Sequence, residues 1–199
     1  VIPNGVDTQY FQFNGRKNQT RPVIAFLGRM DYFPNIDGVL YFVKSVLPLI
    51  RRSIPEVEFH IVGSDPVPEI QRLANEPGIT VTGHVKDVRP YMEAAAVSVA
   101  PLRLARGTQN KILESMAMGV PVVATAQAAK GIQAMPGTHL LVADDAEGIA
   151  AHVSELLRNV RRREELARAA LDHLNSTYSW TTSMKILDEV LAQSKISAV

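Results

Sequence analysis

Short runs of apolar residues alternate with helix-like segments along most of this 199-residue chain. The run from Val23 to Leu27 is continuous and ends at Gly28, as expected for a strand buried on both faces. Residues 36–50 then place their apolar side chains on one stripe of a helix. Further strand-like segments follow at 58–62, 79–82, 97–100, 120–124 and 140–142. Such alternation predicts βαβ units, which build a parallel sheet covered by helices on both faces.

The fold class follows from this pattern. Crossovers between parallel strands are right-handed, so we predict an α/β, Rossmann-like, doubly wound parallel sheet of about six strands with extra C-terminal helices. Helices are expected near 68–75, 88–95, 109–118, 146–159, 162–176 and 182–194. Ligands of such sheets bind at the carboxyl ends of the strands. The loops to inspect therefore begin at Gly28, Gly63, Gly83 and Pro101.

Composition argues against several classes of function. The formal net charge is +1, which does not favour nucleic acid as a partner. The chain has no cysteine and therefore no thiolate metal site or disulfide. Its five histidines lack the spacing of metal ligands, and we interpret Asp144 and Asp145 as helix caps. We predict no metal site, and any anion site must be local.

The stretch 101–121 carries residue types that suit a phosphate-containing ligand. A helix is expected to begin near Thr108, a residue type that favours the N-cap position. Unpaired N–H groups and partial positive charge at a helix start attract anions. The cations expected around this start are Arg103, Arg106 and Lys111.

Lys111 and Glu114 are three residues apart, so both side chains are expected on one face of this helix. A diphosphate needs donors and cations, whereas a ribose diol needs a carboxylate that accepts from two hydroxyls. An ordinary surface ion pair, worth only a few tenths of a kcal/mol, is the alternative interpretation of the same two residues. The small and apolar residues at 116–119 indicate a tightly packed helix and favour the ligand site.

Four segments in this order and spacing carry a family resemblance. They are residues 1–7, Phe26-Leu27-Gly28-Arg29, the strand ends at Gly63 and at Gly83-His84-Val85, and residues 113–124. The chain resembles the retaining glycosyltransferases of the GT-B fold, family 4 (glycosyl transferases group 1). The resemblance implies that it is the C-terminal, donor-binding half of such an enzyme.

The resemblance also implies roles for individual residues. Arg29 is expected to contact the donor diphosphate, because the guanidinium fork suits two phosphate oxygens. Glu114 is expected to hold the ribose hydroxyls. The other residues expected to border the base, ribose or diphosphate are Gly28, Gly63, Gly83, His84, Val85, Gly107, Thr108, Gln109 and Asn110.

Three departures from the family pattern concern this site. Arg106 occupies the position of a glutamate that contacts the donor sugar in the family, and we keep it among the donor-binding residues. No lysine follows Gly28-Arg29 within a few residues, so Lys111 is expected to take that phosphate role, and Arg29 and Lys111 are the expected catalytic residues. The loop 106–111 differs from the usual Glu-Gly-Phe-Gly type, so the family's sugar specificities are not transferred.

The activity implied by the resemblance is transfer of a sugar, with retention, from a nucleotide diphosphate sugar to an unidentified acceptor. We expect a UDP-sugar as substrate, no further cofactor and no metal. The other expected partner is the protein's own N-terminal domain, without which the chain should be inactive. A bacterial role in polysaccharide biosynthesis is expected, in the cytoplasm at the inner face of the membrane, with membrane association through the N-terminal half.

Three segments are expected along the chain. Residues 1–20 follow the crossing between domains, 21–179 form the Rossmann-like nucleotide-sugar-binding domain, and 180–199 form a helix that crosses back to the N-terminal domain. The apolar stripe of this last helix predicts self-association of the isolated chain. Its members are Met184, Leu187, Val190 and Leu191.

Other functions fit parts of the same pattern. Half of a nucleotide-sugar epimerase would share the donor pocket, although the motif at 113–117 favours a transferase. A nucleotide-binding or partner-interaction module without chemistry also remains open. A flavodoxin-like receiver is disfavoured because it needs an acidic cluster after its first strand, where Gly28-Arg29 stands.

Overall fold

A six-stranded parallel sheet organises the molecule. The structure, a computed structural model, describes residues 5–12 and 21–178 and the positions 180, 184 and 188. The strands are β1 (Val23–Leu27), β2 (Glu58–Val62), β3 (Ile79–Val81), β4 (Val97–Ala100), β5 (Val122–Ala124) and β6 (Leu141–Val142). They lie in the order β3-β2-β1-β4-β5-β6, and all neighbours are parallel. This arrangement confirms the predicted doubly wound, Rossmann-like sheet.

Helices follow the strands as the alternation predicted. They are α1 (Phe33–Tyr41), α2 (Leu47–Arg51), α3 (Pro68–Arg72), α4 (Arg89–Ala94), α5 (Asn110–Ala117), α6 (Ala126–Ala129), α7 (Ala146–Arg158) and α8 (Val160–Thr177). Helix α6 was not predicted, because four residues are too few to show a helical period. Its start is fixed by capping: the Ala128 N–H donates to Oγ1 of Thr125 (3.1 Å), and the Ala126 N–H donates to the Asp144 carboxylate (2.8 Å).

The stretch Phe33–Arg51 is one helical rod with a wide turn in its middle. The segment Phe42–Val46 is a π-helix that connects α1 to α2. Pro48 has no N–H to donate to a preceding carbonyl, which explains the widened turn before it. By length and composition alone this rod is apolar enough to cross a membrane, but 44% of its most apolar window is buried inside the protein. Phe42, Val46 and Ile50 are fully buried, so the rod belongs to the core.

The central position of β1 explains its uninterrupted apolar run. β1 pairs with β2 on one side and with β4 on the other, and all five of its residues are buried. The chain crosses to β2 after β1 and later returns to the other side of β1 with β4. The gap between β1 and β4 is therefore the topological switch point, where ligands of open α/β sheets bind.

The C-terminal helices agree with the interpretation of Asp144 and Asp145 as helix caps. Oδ1 of Asp145 accepts from the Gly148 N–H (2.6 Å) and caps α7, while Asp144 caps α6. Asn159 separates α7 from α8 and caps the latter through the Arg162 N–H (3.0 Å). The charge-rich junction 158–165 is not wholly exposed to solvent, because Arg163 is only 5% exposed.

Both ends of the described chain meet on one side of the domain. The Val6 N–H donates to the Tyr178 carbonyl (2.8 Å), which joins the first segment to the end of α8. Positions 180, 184 and 188 are helical and exposed. Three members of the predicted apolar stripe (187, 190 and 191), with the rest of 180–199 and most of 1–7, lie outside the described residues. The three-segment division and the self-association stay predictions.

Candidate functional site

Two adjoining cavities open at the switch point, at the carboxyl end of β1 and beside the start of α5. Leu27, Gly28 and Glu114 line both cavities and connect them. The first has a volume of about 250 Å³ and is also lined by Thr108, Asn110 and Lys111. The second has a volume of about 290 Å³ and is also lined by Arg29, Val62, Gly63, Ser64, His84, Val85 and Val88. Three strand ends and one helix start therefore contribute to a single cleft.

Lys111 lies in the wall of the first cavity, in the first turn of α5. Its Nζ is 4.2 Å from the centroid of the buried Phe26 ring and donates to Oδ1 of Asn35. Burial lowers the pKa of the Lys111 amine to about 7, although the Glu114 charge opposes this change. A nearby anion favours the protonated form of such an amine and would raise its pKa.

Asn35 links this lysine to the end of β1. Its Nδ2 donates to the Arg29 carbonyl (2.8 Å), so the amide bridges the loop after β1 and the Lys111 amine. A Cβ atom on Gly28 would lie 2.6 Å from the Asn35 Nδ2 and 3.1 Å from the Lys111 Nζ. Gly28 is therefore the residue that lets both groups reach the strand end.

Glu114 stands one helical turn beyond Lys111 and faces both cavities. Burial raises the pKa of the Glu114 carboxyl, and the nearby Lys111 charge offsets part of that increase. The helix that carries both side chains is fixed from behind, because Oγ of the buried Ser115 donates to the Lys111 carbonyl (2.6 Å) and accepts from the hydroxyl of Ser98 in β4, whose Oγ lies 2.8 Å away. The two titratable groups are thus held in place before any ligand binds.

Arg29 borders the second cavity from the loop after β1. Its Nη2 donates to Oδ2 of Asp31 (2.6 Å) and its Nε to Oδ1 (3.2 Å), while Asp65 lies 3.9 Å away. The hydrogen bond and charge of Asp31 raise the pKa of the exposed Arg29 guanidinium. A phosphate that binds this guanidinium must therefore displace Asp31 or share the guanidinium with it.

Two expectations about the start of α5 are wrong. The N-cap residue is Gln109 rather than Thr108, and no side chain caps this helix; Thr108 instead directs its hydroxyl toward the Gly131 carbonyl (3.4 Å). Arg103 does not surround the helix start, because it pairs with Asp37 of α1 and its guanidinium lies 5.0 Å from the Tyr41 ring centroid. Attraction to a carboxylate across the loop outweighs the attraction of the helix end.

Most predicted site residues meet in the cleft, and some do not line it. Those that line one or both cavities are Gly28, Arg29, Gly63, His84, Val85, Thr108, Asn110, Lys111 and Glu114. Those that line neither are Gly83, Arg106, Gly107 and Gln109. Gln109 is engaged within its own loop, since its Nε2 donates to the Arg106 carbonyl (3.1 Å). The binding roles of both groups stay predictions.

Several residues at the site were not among the predicted site residues. Val62, Ser64 and Val88 border the second cavity, and Asn35 orders the Lys111 amine. Ser64 follows Gly63 directly, so its position after a strand end was a usable signal. Asn35 offered none, because only packing of the α1 start against α5 brings it to Lys111. In the part of the chain that the structure describes, no group of three or more His, Asp or Glu side chains is arranged to hold a metal ion.

Gly63 permits the close contact between the ends of β1 and β2, and we expect Gly63→Ala to destabilise the fold by about 2–3 kcal/mol. Its φ is +150°, and a Cβ atom there would lie only 1.8 Å from the Gly28 carbonyl oxygen. The matched control is Gly137→Ala, whose φ is +81° in open space. It should cost about 1 kcal/mol. Equal losses of unfolding free energy in the two variants, measured by urea denaturation, would contradict a role for the contact between Gly63 and the Gly28 carbonyl.

The family to which the chain is related is decided by sequence. The family described as Glycosyl transferases group 1 matches residues 21–159, which is more than half of the chain. The chain belongs to this family. A relative is the GDP-mannose-dependent alpha-(1-6)-phosphatidylinositol monomannoside mannosyltransferase of Mycolicibacterium smegmatis, 28% identical over 96% of this chain and 55% of its own length. The curated relatives are matched over 45% or 55% of their length, so the chain spans about half of each.

Solved structures of this fold agree with the group 1 assignment. A glycosyltransferase from Rickettsia africae superposes with a TM-score of 0.79 at 17% identity, over 96% of this chain and 55% of its own. HepE of Anabaena in complex with UDP-glucose gives a TM-score of 0.77 at 16% identity, over 97% of this chain and 57% of its own. At these identities the likeness establishes the fold, which is one half of a GT-B glycosyltransferase. Family membership favours a transferase over the epimerase and the non-catalytic module.

Proposed function

We propose that the cleft binds a nucleotide diphosphate sugar and that the chain is the donor-binding half of a retaining glycosyltransferase. The observation that carries this proposal is the meeting of Lys111, Glu114 and Arg29 around Gly28 at the switch point of the sheet. A cation for phosphate and a carboxylate for a diol stand one helical turn apart on the same helix face.

The two cavities suit the two ends of such a donor. The second, bordered by His84 and Val85 with Ser64 opposite, would take the base and ribose, and Glu114 between the cavities would accept from the ribose hydroxyls. The first would take the diphosphate, against Lys111 and the N–H groups that open α5. Arg106, in the loop that leads to α5, would border the donor sugar, and Gln109 would present its backbone N–H to the diphosphate.

In the proposed reaction the bond between the anomeric carbon and the diphosphate breaks, and the nucleoside diphosphate leaves with added negative charge. Donors that are already fixed stabilise this charge without reorganising. Lys111 would supply one charge when its amine takes up a proton, and Arg29 another. No step in this scheme requires a metal ion or a further cofactor of the chain.

The identity of the base is the finer part of the proposal. A UDP-sugar is our first choice, supported by a neighbour of the same fold that was solved with UDP-glucose. GDP is the competing choice, because a sequence relative is named for its dependence on GDP-mannose. The acceptor and transfer itself would depend on the remaining half of the relatives' length, so we propose that this chain binds donor but does not transfer alone.

Calorimetric titration of the chain with UDP, GDP, ADP and CDP tests the proposal. We expect saturable binding of one of them, with UDP first, and binding at least tenfold weaker in Glu114→Ala, because a hydrogen bond to a charged group is worth about 1.5–3 kcal/mol. Equal affinity of the variant would remove Glu114 from the ribose site. Failure of all four nucleotides to bind a folded chain would overturn the donor site as described.

A further inference from the structure

A short segment that precedes the sheet packs against the loop that borders the second cavity. The segment is residues 5–12, and the loop is residues 82–88, between β3 and α4. Val85 and Val88 of this loop line the second cavity. Phe11 of the segment packs against the same buried apolar cluster as these two valines. The segment therefore lies beside the part of the cleft that we propose for the base and ribose.

Tyr10 makes the contact between the segment and the loop. Its hydroxyl donates to Oδ1 of Asp87 (3.3 Å), and the guanidinium carbon of Arg89 lies 4.2 Å from the centroid of its ring. Nη1 of Arg89 also donates to the Tyr10 carbonyl (3.4 Å). A guanidinium over a tyrosine ring and a hydrogen bond to a carboxylate are both favourable contacts. One tyrosine thus contacts the two charged residues that flank Val88.

Asp87 and Arg89 carry this contact into the loop. Nε of Arg89 donates to Oδ1 of Asp87 (2.9 Å) and its Nη2 to Oδ2 (2.7 Å), while the Arg89 backbone N–H also donates to Oδ1 (2.9 Å). These hydrogen bonds lower the pKa of the Asp87 carboxyl to about 2, so the pair is charged at neutral pH. Because Asp87 lies between Val85 and Val88 in the chain, its position constrains both valines at the cavity wall.

The segment is itself fixed by contacts on its other side. Oδ1 of Asp7 accepts from the N–H groups of Gln9 (3.0 Å) and Tyr10 (2.9 Å), which closes the turn that presents the tyrosine. The buried Val6 donates its N–H to the Tyr178 carbonyl (2.8 Å), which anchors this turn to the end of α8. Tyr10 is therefore held in place where it meets the loop.

We propose that Tyr10 is a positioning residue for the nucleotide end of the donor cleft, and that segment 5–12 and a bound nucleotide are coupled through Asp87 and Arg89. This inference rests on the function proposed above. Tyr10 lines neither cavity, so it acts by raising the fraction of molecules in which loop 82–88 has its binding conformation. Apparent affinity is proportional to that fraction. Coupling is reciprocal, so a bound nucleotide orders the segment in turn.

Amide hydrogen exchange of the nucleotide-free chain tests the contact between Tyr10 and the loop. Tyr10→Ala should speed exchange at residues 84–88 by about three- to tenfold, because it removes both the ring and the hydroxyl that contact the loop. Tyr10→Phe removes the hydroxyl alone and should have a smaller effect. Arg161→Gln is the matched control, because it breaks another exposed ion pair, that with Glu165 on α8, and should leave this exchange unchanged. Unchanged exchange in Tyr10→Ala would overturn the proposal.

Calorimetric titration with UDP and GDP tests the coupling to the nucleotide. Tyr10→Ala should raise the Kd of the nucleotide that binds wild type by about three- to tenfold, Tyr10→Phe by less, and Arg161→Gln not at all. Bound nucleotide should also slow amide exchange at residues 9–11 of the wild-type chain.

The outcomes separate this proposal from the donor site on which it rests. If Tyr10 serves stability alone, Tyr10→Ala lowers the free energy of unfolding in urea but leaves the Kd of the folded chain unchanged. That result, with normal binding by wild type, would overturn the coupling and leave the donor site intact. Failure of the folded wild-type chain to bind either nucleotide would overturn the donor site and the coupling together.

Discussion

Lys111→Met is expected to weaken nucleoside diphosphate binding by at least tenfold at pH 7. The substitution keeps the unbranched shape and removes the cation that lies against Asn35 and Gly28. A charge-assisted hydrogen bond to phosphate is among the stronger contacts that a protein makes. Calorimetric titration of both proteins with the nucleotide that binds wild type measures the change.

Lys111→Met should also remove the pH dependence of nucleoside diphosphate binding. The free Lys111 amine has a pKa of about 7, and a bound diphosphate would raise it. Above pH 7 the free amine is neutral, so binding must take up a proton, and affinity falls as pH rises. We expect a loss of about tenfold between pH 7 and pH 9 in wild type, and a flatter profile in the variant. Titrations at pH 8 in two buffers of different ionisation enthalpy should show proton uptake in wild type alone.

The free energy of unfolding should rise with pH, whereas nucleotide affinity should fall. In the unfolded chain the amine keeps its proton up to its ordinary pKa of 10.5, whereas in the folded chain it releases it near 7. The unfolded state therefore binds more protons between these values, and stability rises with pH across this range. Lys111→Met should lack this rise and be the more stable protein at pH 6. Lys44→Met, at an exposed lysine, is the control and should behave as wild type. Identical urea unfolding of Lys111→Met and wild type at pH 6 and pH 9 would contradict a buried, deprotonating amine.

The fold was predictable because buried parallel strands leave a strong signal. β1 and β2 match their predicted ranges residue for residue, and β1, which is buried on both faces, is apolar throughout. Predicted β5 began two residues early, at Val120, because Pro121 and its neighbour are as apolar as the strand but lie outside it. Composition alone does not mark where pairing starts.

The sequence predicted where the site lies better than it predicted how the side chains of the site pair with one another. The motif at 113–124 and the strand-end glycines indicated which loops converge. The bridge from Lys111 through Asn35 to the Arg29 carbonyl joins residues 76 apart in sequence, and nothing local encodes it. The same holds for Arg103, whose partner Asp37 lies on another helix. Long-range pairing of polar side chains depends on packing that a single sequence does not display.

Glu114→Gln is expected to abolish discrimination between a nucleoside diphosphate and its 2′-deoxy analogue. In wild type the carboxylate would accept from both ribose hydroxyls, so removing the 2′-hydroxyl should cost about 10- to 100-fold in affinity, since a hydrogen bond to a charged acceptor contributes about 1.5–3 kcal/mol. In the variant both nucleotides should bind alike and about as weakly as the deoxy analogue binds wild type. A double cycle of two proteins and two nucleotides, measured by calorimetry, isolates this one contact.

The pH profile of that discrimination gives an independent check. Burial raises the pKa of the Glu114 carboxyl, so acidification should neutralise it earlier than an exposed glutamate. Discrimination against the 2′-deoxy analogue should therefore shrink as pH falls in wild type and stay absent at every pH in Glu114→Gln. Glu76→Gln, at an exposed glutamate outside both cavities, serves as the control and should discriminate as wild type does. Full discrimination by Glu114→Gln would show that Glu114 does not hold the ribose, and no other carboxylate lines either cavity among the described residues.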